Sequence, residues 1–159
     1  MRRYRTSMVI LACLAALAAV VAPTRAASPP AWHPGLGDLM TMAVQPRHIK
    51  LAAAGREKNW IYAAYELGEI KEAFDDVARS VPVWESMPIA TMIRSLTKAP
   101  LVALGEAIKS ADPSRFEAAY GKLTDACNSC HQAANHGMIV IRVPDTVPFS
   151  DQDFRPPAR

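Results

Sequence analysis

Three residues near the carboxyl end of the chain have types and a spacing that indicate a specific chemistry. Cys127 and Cys130 are separated by two residues, and His131 follows directly in the segment Cys127-Asn128-Ser129-Cys130-His131. On a helix, residues three and four apart share one face, so both thiols and the imidazole project to the same side. Such thiols form thioethers to a porphyrin while the histidine ligates its iron. The segment therefore predicts one covalently attached haem c, with Cys127 and Cys130 as attachment sites and His131 as an iron ligand.

The cysteine pair has two other interpretations, a redox-active pair and half of a zinc site. A redox pair is expected beside a strand and a helix, whereas this pair lies late in a chain with helical periodicity. A structural zinc site needs four ligands, with a second pair at suitable spacing. The histidines at His33, His48 and His136 do not form such a set. Both observations favour haem.

The first 26 residues have the layout of a secretory signal peptide. A basic start is followed by an apolar stretch from Met8 to Val21 and by small residues before a predicted cleavage near Ala26. The apolar stretch is shorter than the roughly 20 residues that span a bilayer, so we expect removal rather than a stable membrane anchor. A lipoprotein site at Cys13 is disfavoured, because it would leave most of this stretch on the mature chain. The sequence therefore predicts a periplasmic protein.

Export also changes the charge of the chain. The full sequence has 18 basic and 15 acidic residues, for a net charge of +3. The predicted signal peptide contains four arginines and no acidic residue, so the mature chain has a formal charge of −1. A basic balance would have suggested nucleic acid as a partner. After cleavage nothing supports a nucleic-acid partner.

The fold class follows from the spacing of apolar residues, which is helical between the signal peptide and residue 136. Four amphipathic segments with short connections must bury their apolar stripes against one another. The sequence therefore predicts an all-α, antiparallel four-helix bundle over residues 27–137. The fourth segment has Asp112 as its N-cap, Pro113 at its first position and Gly137 as its stop. The first three segments are about Leu36 to Ala54, Glu57 to Val81, and Met87 to Ala111.

Several positions within these segments carry more specific expectations. Gly55 is suited to cap the first helix. Pro46 and Pro100 are each expected to kink or divide their helix, because proline lacks an amide hydrogen and clashes with the preceding turn. In the second helix, Ile61 falls on the apolar stripe and Glu66 on the polar side.

The chain changes character after Gly137. Residues 138–159 begin with an apolar run and then contain Pro144, Pro148 and a pair of prolines at Pro156 and Pro157. We expect an extended C-terminal segment that lies over the bundle surface and ends loosely.

Bundle and motif together resemble the cytochrome c-prime family, whose members are four-helix bundles with the haem motif near the end of the last helix. Residues 36–136 carry the likeness. The resemblance implies that Cys127 and Cys130 attach the haem and that His131 is its proximal ligand. It also implies that the chain can form a homodimer. The long C-terminal extension departs from the family.

The second axial position of the iron decides between functions. In an antiparallel bundle the start of the first helix lies beside the haem motif, and residues 38–48 contain three potential ligands: Met40, Met42 and His48. Low-spin relatives in the resembled family present a methionine from the first helix, and Met40 matches that position. His48 is the main rival, since imidazole is a good iron ligand, and Met42 is the third. Gas-binding members present a residue that does not ligate.

The sequence thus predicts a small periplasmic electron carrier that serves redox protein partners as yet unidentified. The alternative is a five-coordinate protein that binds nitric oxide or carbon monoxide. A third interpretation is an electron-transfer subunit that docks on a dehydrogenase or reductase through the C-terminal segment. We do not expect an enzyme, because the sequence has no phosphate loop, second metal cluster or nucleophile motif.

Overall fold

Four helices dominate residues 33–158, the part of the chain that the computed structural model describes. This part contains no strand, and Trp84 and Met87 form an isolated bridge within it. The predicted all-α class is therefore confirmed. The predicted signal peptide at residues 1–26 lies outside the described residues. No helix within the described range is long and apolar enough to cross a membrane.

The helices pack as a bundle in which neighbours along the chain contact each other and the first also contacts the fourth. The predicted cap of the fourth helix is confirmed, because the Asp112 side chain accepts from the Arg115 N–H at 3.0 Å and Pro113 is the first helical residue. The fourth helix ends at Ala133, before the predicted stop at Gly137. The helices are α1, made of Leu36–Leu39, a π-helical stretch Met40–Val44 and Gln45–Arg56; α2, Trp60–Ser80; α3, Ile89–Lys109; and α4, Pro113–Ala133.

Helix α1 widens just before Pro46, where the sequence predicted a kink or a division. The Gln45 N–H donates to the Met40 carbonyl, five residues earlier, which is a π-helical hydrogen bond. In a regular α-helix the Pro46 ring would clash with the Met42 carbonyl, and its nitrogen has no hydrogen to donate. The wider turn relieves that conflict, and α1 continues to Arg56. Likewise, α3 runs undivided through the buried Pro100.

Gly55 serves packing rather than capping, contrary to the sequence prediction. Helix α1 continues to Arg56, and the left-handed conformation falls on Lys58, with a φ of 55°. A Cβ built on Gly55 would lie 2.1 Å from Cε1 of Phe116, which is closer than any real contact. Gly55 therefore lets the Phe116 ring of α4 lie directly against the α1 backbone.

The buried face of α2 is rotated from the predicted apolar stripe. Ile61 is 85% exposed, whereas Glu66, which we expected on the polar side, is 3% exposed. Burial raises the pKa of Glu66. Both predictions are therefore wrong, because the face that α2 buries is set by its contacts with α1 and α3. The largest fully buried side chains of the core are Leu51, Ile70, Val77, Ile89, Leu104 and Leu123.

The C-terminal segment is anchored near its end. Phe154 is 7% exposed, and its ring stacks on Tyr62 with centroids 5.4 Å apart. The Asn59 amide donates to the carbonyls of Phe154 and Arg155 at 3.2 and 3.1 Å. The C-terminal segment therefore lies against the bundle as far as Arg155.

Candidate cofactor site

The three motif residues lie in the last two turns of α4. Cys127, Cys130 and His131 are each half-buried, while Ser129 between them is exposed. Both cysteines are free thiols. Burial raises the pKa of Cys127 to about 11, with a further contribution from Cys130, and burial also raises the pKa of Cys130. Redox-active cysteine pairs have a lowered thiol pKa instead.

The orientation of His131 is set by the segment that follows the helix. Nδ1 of His131 lies 2.7 Å from the Ile139 carbonyl oxygen. A carbonyl only accepts, so Nδ1 carries the hydrogen, and in the neutral imidazole Nε2 then has a free lone pair. This is the tautomer that a metal-ligating histidine needs, with its other nitrogen bonded to a backbone carbonyl.

The chain reverses after α4 through two turns and returns along the helix. The His136 N–H donates to the His131 carbonyl at 2.7 Å, and the Ile139 N–H donates to the His136 carbonyl at 2.9 Å. Further along, Ile141 exchanges two hydrogen bonds with the side chain of Asn128. This role of Asn128 was not predicted from the sequence, in which the amide side chain inside the motif was the signal for it.

The loop between α2 and α3 lies beside the end of α4. The Trp84 ring contacts the His136 ring edge-on, with centroids 4.8 Å apart. Trp84 and Met87 exchange two backbone hydrogen bonds of 3.0 and 2.7 Å, and both side chains pack against the core. The position of this loop beside the motif was not predicted from the sequence, because the contact joins residues far apart in the chain.

The two methionine candidates differ in burial although both belong to the π-helical stretch of α1. Met40 is half-buried and packs against the core, whereas Met42 is 56% exposed. Single π-helical turns within α-helices are frequent at functional sites. The π-helical stretch Met40–Val44 lies within residues 38–48, where the sequence predicts an axial ligand.

His48 lies in a buried hydrogen-bond network that joins α1 to α4. Its Nδ1 is 2.8 Å from the Tyr120 hydroxyl, and its Nε2 is 3.1 Å from Oγ1 of Thr124. The Tyr120 hydroxyl also donates to the His48 carbonyl at 2.7 Å. Burial lowers the pKa of His48 to about 4 and raises the pKa of Tyr120. Both ring nitrogens therefore have protein partners.

The buried imidazole makes stability depend on pH. The folded protein keeps His48 neutral down to about pH 4, whereas the unfolded chain takes up a proton below about pH 6.5. Protonation therefore favours the unfolded state in this window, and stability falls as the pH falls. The difference between the two pKa values corresponds to about 3 kcal/mol of unfolding free energy. We expect the loss between pH 7 and pH 4, measured by chemical denaturation, to be smaller by this amount in His48→Gln. Equal losses in both proteins would contradict the assignment.

The motif side chains do not converge on a single point. Among residues 33–158, no three His, Cys, Asp or Glu side chains come close enough together to hold a metal ion. Cys127, Cys130 and His131 instead follow one another along one helix face. This arrangement fits attachment to separate atoms of one large flat group.

Comparisons with protein-family models, with curated proteins and with solved structures find no match for this chain. The chemistry of the site is therefore inferred from its own residues. The resemblance to the cytochrome c-prime family depends on the motif and on the helical bundle alone.

Proposed function

We propose that this chain is a periplasmic monohaem c-type cytochrome, similar to the cytochrome c-prime family, that acts as an electron carrier. Cys127 and Cys130 attach the haem and His131 ligates its iron, which supplies one-electron redox chemistry. The observation that carries the proposal is the hydrogen bond from His131 Nδ1 to the Ile139 carbonyl. It leaves Nε2 as a free base on the helix face that also carries two free, half-buried thiols. Export by residues 1–26 belongs to the same proposal.

The proposal includes an antiparallel arrangement of the bundle, which contacts between α1 and α4 support. His48 in α1 contacts Tyr120 and Thr124 in α4. Gly55, later in α1, contacts Phe116, which comes earlier in α4. Later residues of one helix thus pair with earlier residues of the other, as in helices that run in opposite directions.

Met40 is the proposed sixth ligand. Extending the pairing of α1 with α4 back from His48 brings Met40 level with the end of α4, where His131 lies. Met40 is half-buried, whereas Met42 is largely exposed and both ring nitrogens of His48 have partners. Two protein ligands hold an iron with little rearrangement between oxidation states, which suits electron transfer.

Apolar side chains at this end of the bundle would keep water from the iron. Trp84 and Met87 in the α2–α3 loop are partly buried, as are Leu36 and Met40 in α1. Limited solvent access and a methionine ligand both raise the reduction potential. The residues around the motif therefore suit an electron carrier of raised potential.

The alternative is a five-coordinate, gas-binding protein of the same family. The packing of Met40 against the core favours it, because methionines at such positions often only fill space. In that case Met40 would shield the iron without ligating it.

The test is a mass and an optical spectrum of the protein secreted by a host competent in cytochrome maturation. We expect the mass of the mature polypeptide plus one haem, with low-spin bands in both oxidation states that carbon monoxide does not change. Bands that shift on addition of carbon monoxide would instead support the gas-binding alternative. A colourless protein with the mass of its bare polypeptide would overturn the proposal.

A further inference from the structure

Asn128 forms an unusually complete contact with the segment that follows α4. Its Nδ2 donates to the Ile141 carbonyl at 2.9 Å, and its Oδ1 accepts from the Ile141 N–H at 2.8 Å. Both hydrogen bonds are partly buried. One side-chain amide thus pairs in both directions with one backbone residue, as a neighbouring strand would.

This contact lies next to the one that orients His131. Ile141 is two residues after Ile139, and two extended residues span only about 7 Å. Asn128 and His131 are three residues apart and therefore neighbours on α4. The segment is consequently tied to the helix at two adjacent points, Asn128 to Ile141 and His131 to Ile139. Little backbone freedom remains between them.

Side-chain packing does little to hold this segment in place. Met138 is 77% exposed, Ile139 is 48% exposed and Val140 is 67% exposed. Exposed side chains contribute little to fixing a backbone. Before Ile139, the Ile139 N–H donates to the His136 carbonyl within the turn. After it, the two hydrogen bonds between Asn128 and Ile141 hold the segment, so Asn128 fixes the far side of the Ile139 carbonyl.

We propose that Asn128 is a positioning residue that sets the reduction potential of the haem iron by holding the Ile139 carbonyl against His131. This inference rests on the proposed function. A hydrogen bond from Nδ1 to a carbonyl makes Nε2 a stronger electron donor, which favours the oxidised iron and lowers the potential. Without Asn128 the segment moves, Nδ1 donates to water instead, and the potential rises.

The motif itself contains a matched control. Ser129, the other residue between the cysteines, donates only within its own helix, to the Asp125 carbonyl at 2.9 Å. Ser129→Ala therefore changes the motif without touching the segment. Asn128→Gln keeps an amide that reaches further by one methylene and is expected to preserve part of the contact.

The test measures the midpoint potential of the full, haem-loaded chain by spectroelectrochemical titration. We expect Asn128→Ala to raise the potential, by about 59 mV if the preference for the reduced form increases tenfold. Asn128→Gln should give a smaller increase and Ser129→Ala none. A second measurement is the exchange of the His131 Nδ1 hydrogen with solvent, followed by NMR in the reduced protein. This exchange should be slow in the original chain and fast in Asn128→Ala, with unchanged helix content by circular dichroism.

Two results would overturn the inference and are distinguishable. An Asn128→Ala protein that carries haem, with unchanged potential and slow Nδ1 exchange, would overturn the role of Asn128 alone. A colourless original chain would overturn the proposed function and this inference with it.

Discussion

A double variant with Cys127→Ala and Cys130→Ala is expected to be secreted without colour and with the mass of its bare mature polypeptide. Both thiols are free and half-buried on the helix that carries His131. Without a thioether, the haem would be held by axial ligation and packing alone and would be lost outside the cell. We expect complete loss of haem that survives denaturation, measured by mass spectrometry and by haem staining of denaturing gels.

The single variants and a control sharpen this result. Under the proposal, each single cysteine variant would keep one thioether and should give a reduced yield of coloured protein. Ser129→Ala alters the same turn of α4 and should load haem normally, since its hydroxyl bonds only to the Asp125 carbonyl. Haem that remains attached to the denatured double variant would contradict the assignment of both cysteines.

The second large effect is expected at Met40. Met40→Leu keeps the apolar volume that packs against the core but removes the thioether sulfur that would ligate the iron. We expect the low-spin spectrum to become high-spin, carbon monoxide to bind, and the reduction potential to fall. Optical spectra with and without carbon monoxide measure the change.

Met42 and His48 supply the controls for this variant. Met42→Leu makes the same substitution in the same π-helical stretch, at a side chain that is 56% exposed, and should leave the spectrum unchanged. His48→Gln should also keep the low-spin bands, because the His48 nitrogens already bond to Tyr120 and Thr124. A Met40→Leu protein that stays low-spin while His48→Gln turns high-spin would assign the ligand to His48 instead.

Features set by residues close together in the chain could be predicted from the sequence. Helical periodicity indicated four helices, and Asp112 with Pro113 marked the start of α4 correctly. Such signals act within one or two turns, so they need no knowledge of neighbouring helices. The haem prediction for Cys127 to His131 also uses a local signal, the spacing of three residues along one helix.

Features set by neighbouring elements were predicted less well. Ile61 is exposed and Glu66 is buried, the reverse of the prediction, because the packing of α2 decides which of its faces is buried. Gly55 was predicted to cap α1, but the Phe116 ring lies against its backbone. Phe154 lies in a proline-containing tail but stacks on Tyr62. Each outcome depends on a contact between residues far apart in sequence.

The sequence by itself determined which residues could attach a cofactor and that the chain would be helical, since both depend on local spacing. Only the tertiary structure decided the orientation of the His131 ring and which of its nitrogens carries the hydrogen. Nδ1 of His131 donates a hydrogen bond to the Ile139 carbonyl because the chain turns back along α4 and the Asn128 side chain forms two hydrogen bonds with the Ile141 backbone. Tertiary structure likewise gave both ring nitrogens of His48 partners in α4. Hydrogen bonds between separate segments form only after folding brings those segments together, so no local pattern specifies them.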